Sequence, residues 1–228
     1  ANAPSSPELR QAVPLIRDYL AVGSDPAPQA RAFDLVRTAA DSALGRWSDI
    51  HERVAGGNEL SDAERNEAQN ALKVLDSIAT QLYFASGAYD EKRNNGVDAQ
   101  PVDTPRAKAD LARFADLAIP VLLTCSATKE APIIHHVVET LVFLAPLNEK
   151  RALIALTEAA TASDGYAYDS LGGGAVVPYL KRLLAEDRDL VLFDALGVVA
   201  FRRLLAAFAA AGNEDALVLA FTFADVFR

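Results

Sequence analysis

Few residues in this chain have types and spacings that could do chemistry. His135 and His136 are adjacent, so on a helix their side chains point about 100° apart and do not converge on one metal ion. His135 and Glu139 lie one turn apart and could supply two ligands, but the sequence shows no third. Cys125 lies in an apolar stretch, which predicts a buried thiol rather than a nucleophile. We therefore expect no metal and no catalytic residue.

Two short motifs resemble ligand-binding loops and fail in detail. The run Gly172-Gly173-Gly174 lacks the preceding strand and the Gly-Lys-Ser/Thr ending of a phosphate-binding loop. The stretch from Asp90 places Gly96 seventh rather than sixth, and Pro101 stands where a calcium loop has its last glutamate. The first motif predicts a turn or a close helix crossing, and the second predicts a solvated linker. We expect no cofactor.

Tyrosines and carboxylates surround the glycine run. A groove lined by these two residue types suits a basic peptide or a partner helix, whereas tyrosines that only pack between helices are the alternative. We predict a partner-binding surface at eight residues: Asp164, Tyr166, Tyr168, Asp169, Tyr179, Glu186, Asp187 and Asp189.

The distribution of charge limits the class of molecule that this chain could bind. The formal net charge is -9, and the nearest approach to a basic cluster is an isolated pair such as Lys181-Arg182. Nucleic-acid binding requires clustered Lys and Arg, so we expect none and predict a protein partner with a basic or neutral surface. The longest apolar stretch, 190–211, is interrupted by Asp194, Arg202 and Arg203, so we expect no membrane span.

Cysteine use and the chain start suggest a cellular setting. A single cysteine excludes an intrachain disulfide, which favours a reducing, cytoplasmic location. The chain begins at Ala1 and contains no methionine, so we expect an excised fragment or a processed form.

Apolar periodicity and end signals predict an almost entirely helical chain. Ser61 and Glu64 form a capping box at one helix start, and Gly56-Gly57 ends the helix before it. Because most links are short, neighbouring helices should pack antiparallel. The predicted helices are 7–22, 27–54, 61–86, 105–126, 131–145, 148–162, 166–186, 189–211 and 213–227. Within 166–186, the three glycines predict an interruption, with the helix beginning again near Val177.

The polar stretch 88–104 divides this helical pattern. It contains charged residues, Asn, Gly and Pro with few apolar positions, and stretches of this length are usually linkers or functional loops. We predict an N-terminal helical lobe at 1–87, a linker or loop at 88–104, and a C-terminal helical-repeat lobe at 105–228.

A proline inside an apolar run occurs three times, at Pro14, Pro120 and Pro178. The last copy continues through Leu180, Leu183 and Leu184, an acidic turn at 186–189, and a second apolar helix, and it resembles a HEAT repeat. The arginine usual in the second helix of that family is absent, and Asp194 stands near its place. The resemblance implies antiparallel helical hairpins stacked as a short HEAT/armadillo-like solenoid, with an irregular helical bundle as the alternative.

A looser resemblance covers 165–171 and 223–228. These segments are similar to the helical C-terminal regions of some large bacterial ATP-binding proteins, which implies a bacterial source and a part of such a protein without the nucleotide site.

Three functional hypotheses follow. The first is a non-enzymatic helical-repeat module for protein–protein interaction or scaffolding. The second is an acidic inhibitor or immunity-type partner of a basic enzyme, which the net charge favours. The third is a helical-repeat enzyme acting on nucleic acid, which would require a basic surface that the sequence does not show.

Overall fold

The structure is a computed structural model, and it describes residues 12, 17–20, 25–90 and 104–226. Every regular element within those residues is helical and none is a strand, so the predicted all-α class is confirmed. The helices are α1 Arg17–Leu20, α2 Pro26–Ala55, α3 Asp62–Ala85, α4 Pro105–Ser126, α5 Ala131–Leu144, α6 Glu149–Ala160, α7 Asp164–Tyr168, α8 Ser170–Glu186, α9 Arg188–Leu192, α10 Ala195–Ala210 and α11 Glu214–Val226.

The chain divides into two compact units, Ala1–Thr128 and Lys129–Arg228. Helix α4 therefore belongs to the first unit, and the division lies about two dozen residues beyond the polar stretch 88–104. Residues 91–103 of that stretch lie outside the described part of the chain, as does Pro14 of the first proline copy. The linker at 88–104 stays a prediction.

The first unit is built from three long helices. Helices α2 and α3 pack against each other, and α4 packs against both. Phe33 of α2 meets Phe114 of α4 edge to face, with ring centroids 5.5 Å apart. The capping box that starts α3 is present in both directions, because Ser61 Oγ accepts from Glu64 N while the Glu64 carboxylate accepts from Ser61 N.

The second unit contains α5 to α11. A 3₁₀ turn, Ala145–Leu147, joins α5 to α6. Helix α10 packs against α6, α8 and α11, and α8 packs against α5. The α10–α11 connection is three residues long, and Phe201 of α10 meets Phe223 of α11 with ring centroids 4.9 Å apart, so these helices are antiparallel.

Two predictions about helix continuity are wrong. Residues 189–211 do not form one helix, because α9 ends at Leu192 and Asp194 caps a new helix by accepting from the backbone N of Leu196 and Gly197. The glycine run is not an interruption, because α8 continues through it and through Pro178. A Cβ at Gly172 would come within 2.8 Å of the Tyr166 carbonyl oxygen, so close packing favours glycine there despite its low helix propensity.

Candidate interaction surface

Tyr166 is part of the core of the second unit rather than of its surface. It lies on α7 and is fully buried. Its ring packs edge to face on Phe208, and its hydroxyl lies 3.4 Å from His135 Nδ1. Desolvation, with a smaller contribution from the Glu139 carboxylate, raises the pKa of Tyr166 above its ordinary value. The phenol therefore stays neutral and helps to hold α7 against α5.

Tyr179 belongs to a partly buried polar cluster that links α6 and α8. Its hydroxyl donates to Glu149 Oε2 at 3.3 Å, and Arg182 Nη2 lies 2.8 Å from Glu149 Oε1. The guanidinium carbon of Arg182 lies 5.4 Å from the centre of the Tyr179 ring. Burial, followed by the Glu149 charge, raises the pKa of Tyr179. The cluster is satisfied internally, so it stabilises helix packing.

The acidic turn between α8 and α9 is partly committed to local structure. Asp187 caps α9, since its carboxylate accepts from Leu190 N. Glu186 is exposed and pairs with Arg182 one turn earlier, at 3.4 Å. Asp189 is exposed in the first turn of α9. Two carboxylates of this turn therefore remain accessible to a partner.

The remaining predicted residues lie around α7. Tyr168 is 69% exposed at the end of this helix, and Asp169 follows it. Asp164 begins the helix, and its side chain lies outside the described part of the structure. Of the eight predicted residues, Tyr168, Glu186 and Asp189 are exposed, whereas Tyr166 and Tyr179 are buried and have no surface to offer. The partner-binding surface itself stays a prediction.

The groups with catalytic or metal-binding potential are engaged in the fold. His135 Nε2 lies 3.6 Å from Glu139 Oε2 on the same helix. Among the described residues, no group of three or more His, Cys, Asp or Glu side chains is arranged to hold a metal ion. Cys125 is fully buried, and desolvation, with a smaller contribution from Asp41, raises the pKa of its thiol. A buried neutral thiol is a poor nucleophile.

The strongest surface feature lies on α10 and α11, where the sequence interpretation placed no site. Six of the eleven large apolar side chains that are exposed in the described residues fall within 193–221. They are Phe193, Leu196, Val199, Leu217, Val218 and Phe221, and Phe193 and Phe221 are 78% and 73% exposed. Exposed apolar side chains at neighbouring positions of two packed helices are typical of interaction sites. The sequence signal for part of this surface was the high apolar content of 190–211, which we used only to test for a membrane span.

Five of these side chains, all but Phe193, lie with Arg203 and Glu214 in one stripe on each helix, and we call the pair the outer stripes. On α10 the stripe is Leu196, Val199 and Arg203, and on α11 it is Glu214, Leu217, Val218 and Phe221. The spacings i, i+3, i+4 and i+7 put each set on one side of its helix. The opposite sides are buried, with Phe201, Leu204 and Phe208 on α10 and Ala216, Leu219 and Phe223 on α11. Both helices are thus apolar on two sides.

Each outer stripe also carries one charge. Arg203 and Glu214 are both exposed, and neither forms an ion pair with any residue in the described part of the chain. Their acidic neighbour Asp215, in contrast, is held by Lys181 Nζ at 2.8 Å. The stripes therefore offer one cation and one anion beside apolar surface.

Searches among protein-family models, curated protein sequences and solved structures gave no match to this chain. No helix in the described residues is long and apolar enough to cross a membrane.

Proposed function

We propose that this chain is a non-enzymatic helical-repeat module for protein–protein interaction. The observation that carries the proposal is the pair of outer stripes, where five large apolar side chains are exposed on two adjacent helices. Each square ångström of apolar surface removed from water contributes about 25 cal/mol, so covering the stripes gives a partner a substantial driving force. Their position on helices rather than loops offers a rigid binding surface.

HEAT-like stacking of hairpins is the architecture we propose for this module. Two observations support it. Several successive helices of the second unit pack on each other, among them α5 with α6 and α10 with α11. Pro120 and Pro178 both lie inside helices, as the repeat resemblance implies. In stacked repeats the outermost helices need a polar outer side, so apolar outer stripes point to a surface that is covered when the module works.

The acidic groups near α8 and α9 give a second contact in this proposal. Glu186 and Asp189 are exposed, and the chain carries a net charge of -9, so the partner surface facing them is basic or neutral. Replacing both with alanine should weaken binding and lessen its salt dependence. Asp187 is left in place because its loss would uncap α9.

The test compares partner capture by the wild type, a variant of the outer stripes, and a control variant that loses an exposed apolar group elsewhere. The Val199→Gln/Phe221→Gln double variant removes apolar groups from both outer stripes, and Leu35→Gln removes an exposed apolar group from α2 as the control. Proteins from the source organism that bind the wild type and the control, and that are lost with the double variant, are then purified and their affinities measured. Direct binding that weakens at least tenfold in the double variant supports the proposal. Equal binding by all three chains contradicts it.

A further inference from the structure

We propose that the outer stripes recognise a second copy of this chain, with the α10 stripe of one copy packed antiparallel on the α11 stripe of the other. This inference rests on the proposed function, since it names the partner of the same surface. It is drawn from the order and spacing of the side chains on the two stripes.

The two stripes match in length and order. Leu196 and Arg203 are seven residues apart on α10, and Glu214 and Phe221 are seven residues apart on α11. Each stripe thus spans two helical turns, about 10 Å. When the helices run in opposite directions, Arg203 meets Glu214 and Leu196 meets Phe221. Val199 then falls between the ends, opposite Leu217 and Val218.

Charge complementarity favours a second copy over a partner of one charge sign. A basic partner would satisfy Glu214 and repel Arg203, and an acidic partner would do the reverse. At this contact Arg203 of one copy meets Glu214 of the other, and both groups are exposed and lack an ion pair within the described residues. Pairing them at an interface that excludes water also strengthens their attraction over that of an exposed pair.

The apolar groups supply the driving force and the charges set the register. A shift of the pairing by one helical turn would place Arg203 beside Leu217 or Val218 and leave Glu214 without its cation. Complementary charges at fixed spacing select one register in this way in other helix pairs. We therefore expect association to depend on both the apolar and the charged members of the stripes.

Sedimentation velocity on the full chain tests the inference. The wild type should gain mass with concentration across about 1–200 μM, the range of a weak small interface. Arg203→Glu and Glu214→Arg should each weaken association about tenfold or more, because each puts like charges together. An equimolar mixture of the two variants should regain wild-type association, since the reversed residue of each faces the complementary residue of the other.

Matched controls separate this contact from general charge effects and from misfolding. Arg31→Glu, at an exposed position of α2, changes the net charge as Arg203→Glu does and should associate like the wild type. Circular dichroism should show that every variant is folded. A wild type that stays monomeric throughout, or a mixture no heavier than its separate components, overturns self-association. In that event, loss of a different partner by Val199→Gln/Phe221→Gln would still support the proposed function.

Discussion

At the residue scale, the Glu149 carboxylate is the polar partner of two neighbouring side chains that have little access to water. It accepts from Tyr179, which is almost fully buried, and pairs with half-buried Arg182. Glu149→Ala should lower the free energy of unfolding by about 1.5–3 kcal/mol, because it strands a buried hydroxyl and removes the nearest partner of a guanidinium. Glu158→Ala, an exposed change on the same helix, should stay within about 0.5 kcal/mol. Urea denaturation measures both, and equal effects would contradict the role of the cluster.

Glu64 contributes a pH dependence whose direction is fixed by its environment. Hydrogen bonds from the Ser61 hydroxyl and backbone, and then Arg53, lower the pKa of Glu64 from 4.5 to about 2. Since the folded-state pKa is depressed, this stabilisation is present above pH 4.5 and is lost as the pH falls towards 2. Glu64→Gln should therefore lose less stability than the wild type between pH 5 and 2. Glu67→Gln, exposed on the same helix, should keep the wild-type acid sensitivity, and identical curves for all three chains would refute the assignment.

At the element scale, replacing glycine with alanine should have opposite effects on stability at a left-handed helix end and inside a helix. Gly212 has φ of 83° and follows α10, with Asn213 N donating to Phe208 O in a Schellman-type ending. Gly45 lies inside α2, and a Cβ would meet nothing within 4 Å at either position. Gly212→Ala should cost about 1 kcal/mol, whereas Gly45→Ala should stabilise by about 0.5–1 kcal/mol. Opposite signs in thermal unfolding are expected, and a stabilised Gly212→Ala would contradict the left-handed ending.

Helix predictions succeeded where the signals are local and failed where the helix depends on distant contacts. The start of α4 follows from Thr104 and Pro105, a cap and a first-turn proline that act locally. The break between α9 and α10 was missed because apolar periodicity continues across it. A Cβ at Gly197 would collide with the backbone oxygen of Leu190, so the turn depends on a close approach that only the folded chain reveals. In α8, Gly172 likewise lies against Tyr166, a close approach that only the folded chain reveals.

At the scale of the whole molecule, the two sides of α10 and α11 should respond differently to truncation. Phe201 is fully buried and packs on Phe223, whereas Phe221 is largely exposed. Phe201→Ala should lower stability by about 3–5 kcal/mol through the cavity it leaves. Phe221→Ala should change it by about 0.5 kcal/mol or less at dilute concentration, where any partner is absent. Comparable losses in the two variants, measured by chemical denaturation, would show that the outer stripes belong to the core.

The division into two compact units also bears on how the chain is organised. Each unit has buried aromatic residues of its own, with Phe33 and Phe114 in the first and Tyr166 and Phe208 in the second. The sequence predicted a boundary from a polar stretch, because composition marks where a chain is solvated. Composition does not show which unit contains α4, because the apolar side of this helix could pack in the core of either unit.

The sequence by itself determined the all-α class, most helix bounds and the caps at Ser61 and Thr104, because helix periodicity and capping are interactions between residues a few positions apart. Only the tertiary structure decided that Tyr166 and Tyr179 are buried, that the glycine run stays helical, and that α10 and α11 keep apolar stripes exposed. A helix that is apolar on two sides has two candidate inward sides in the sequence. Which one becomes core is fixed by contacts with α6 and α8, residues far away along the chain.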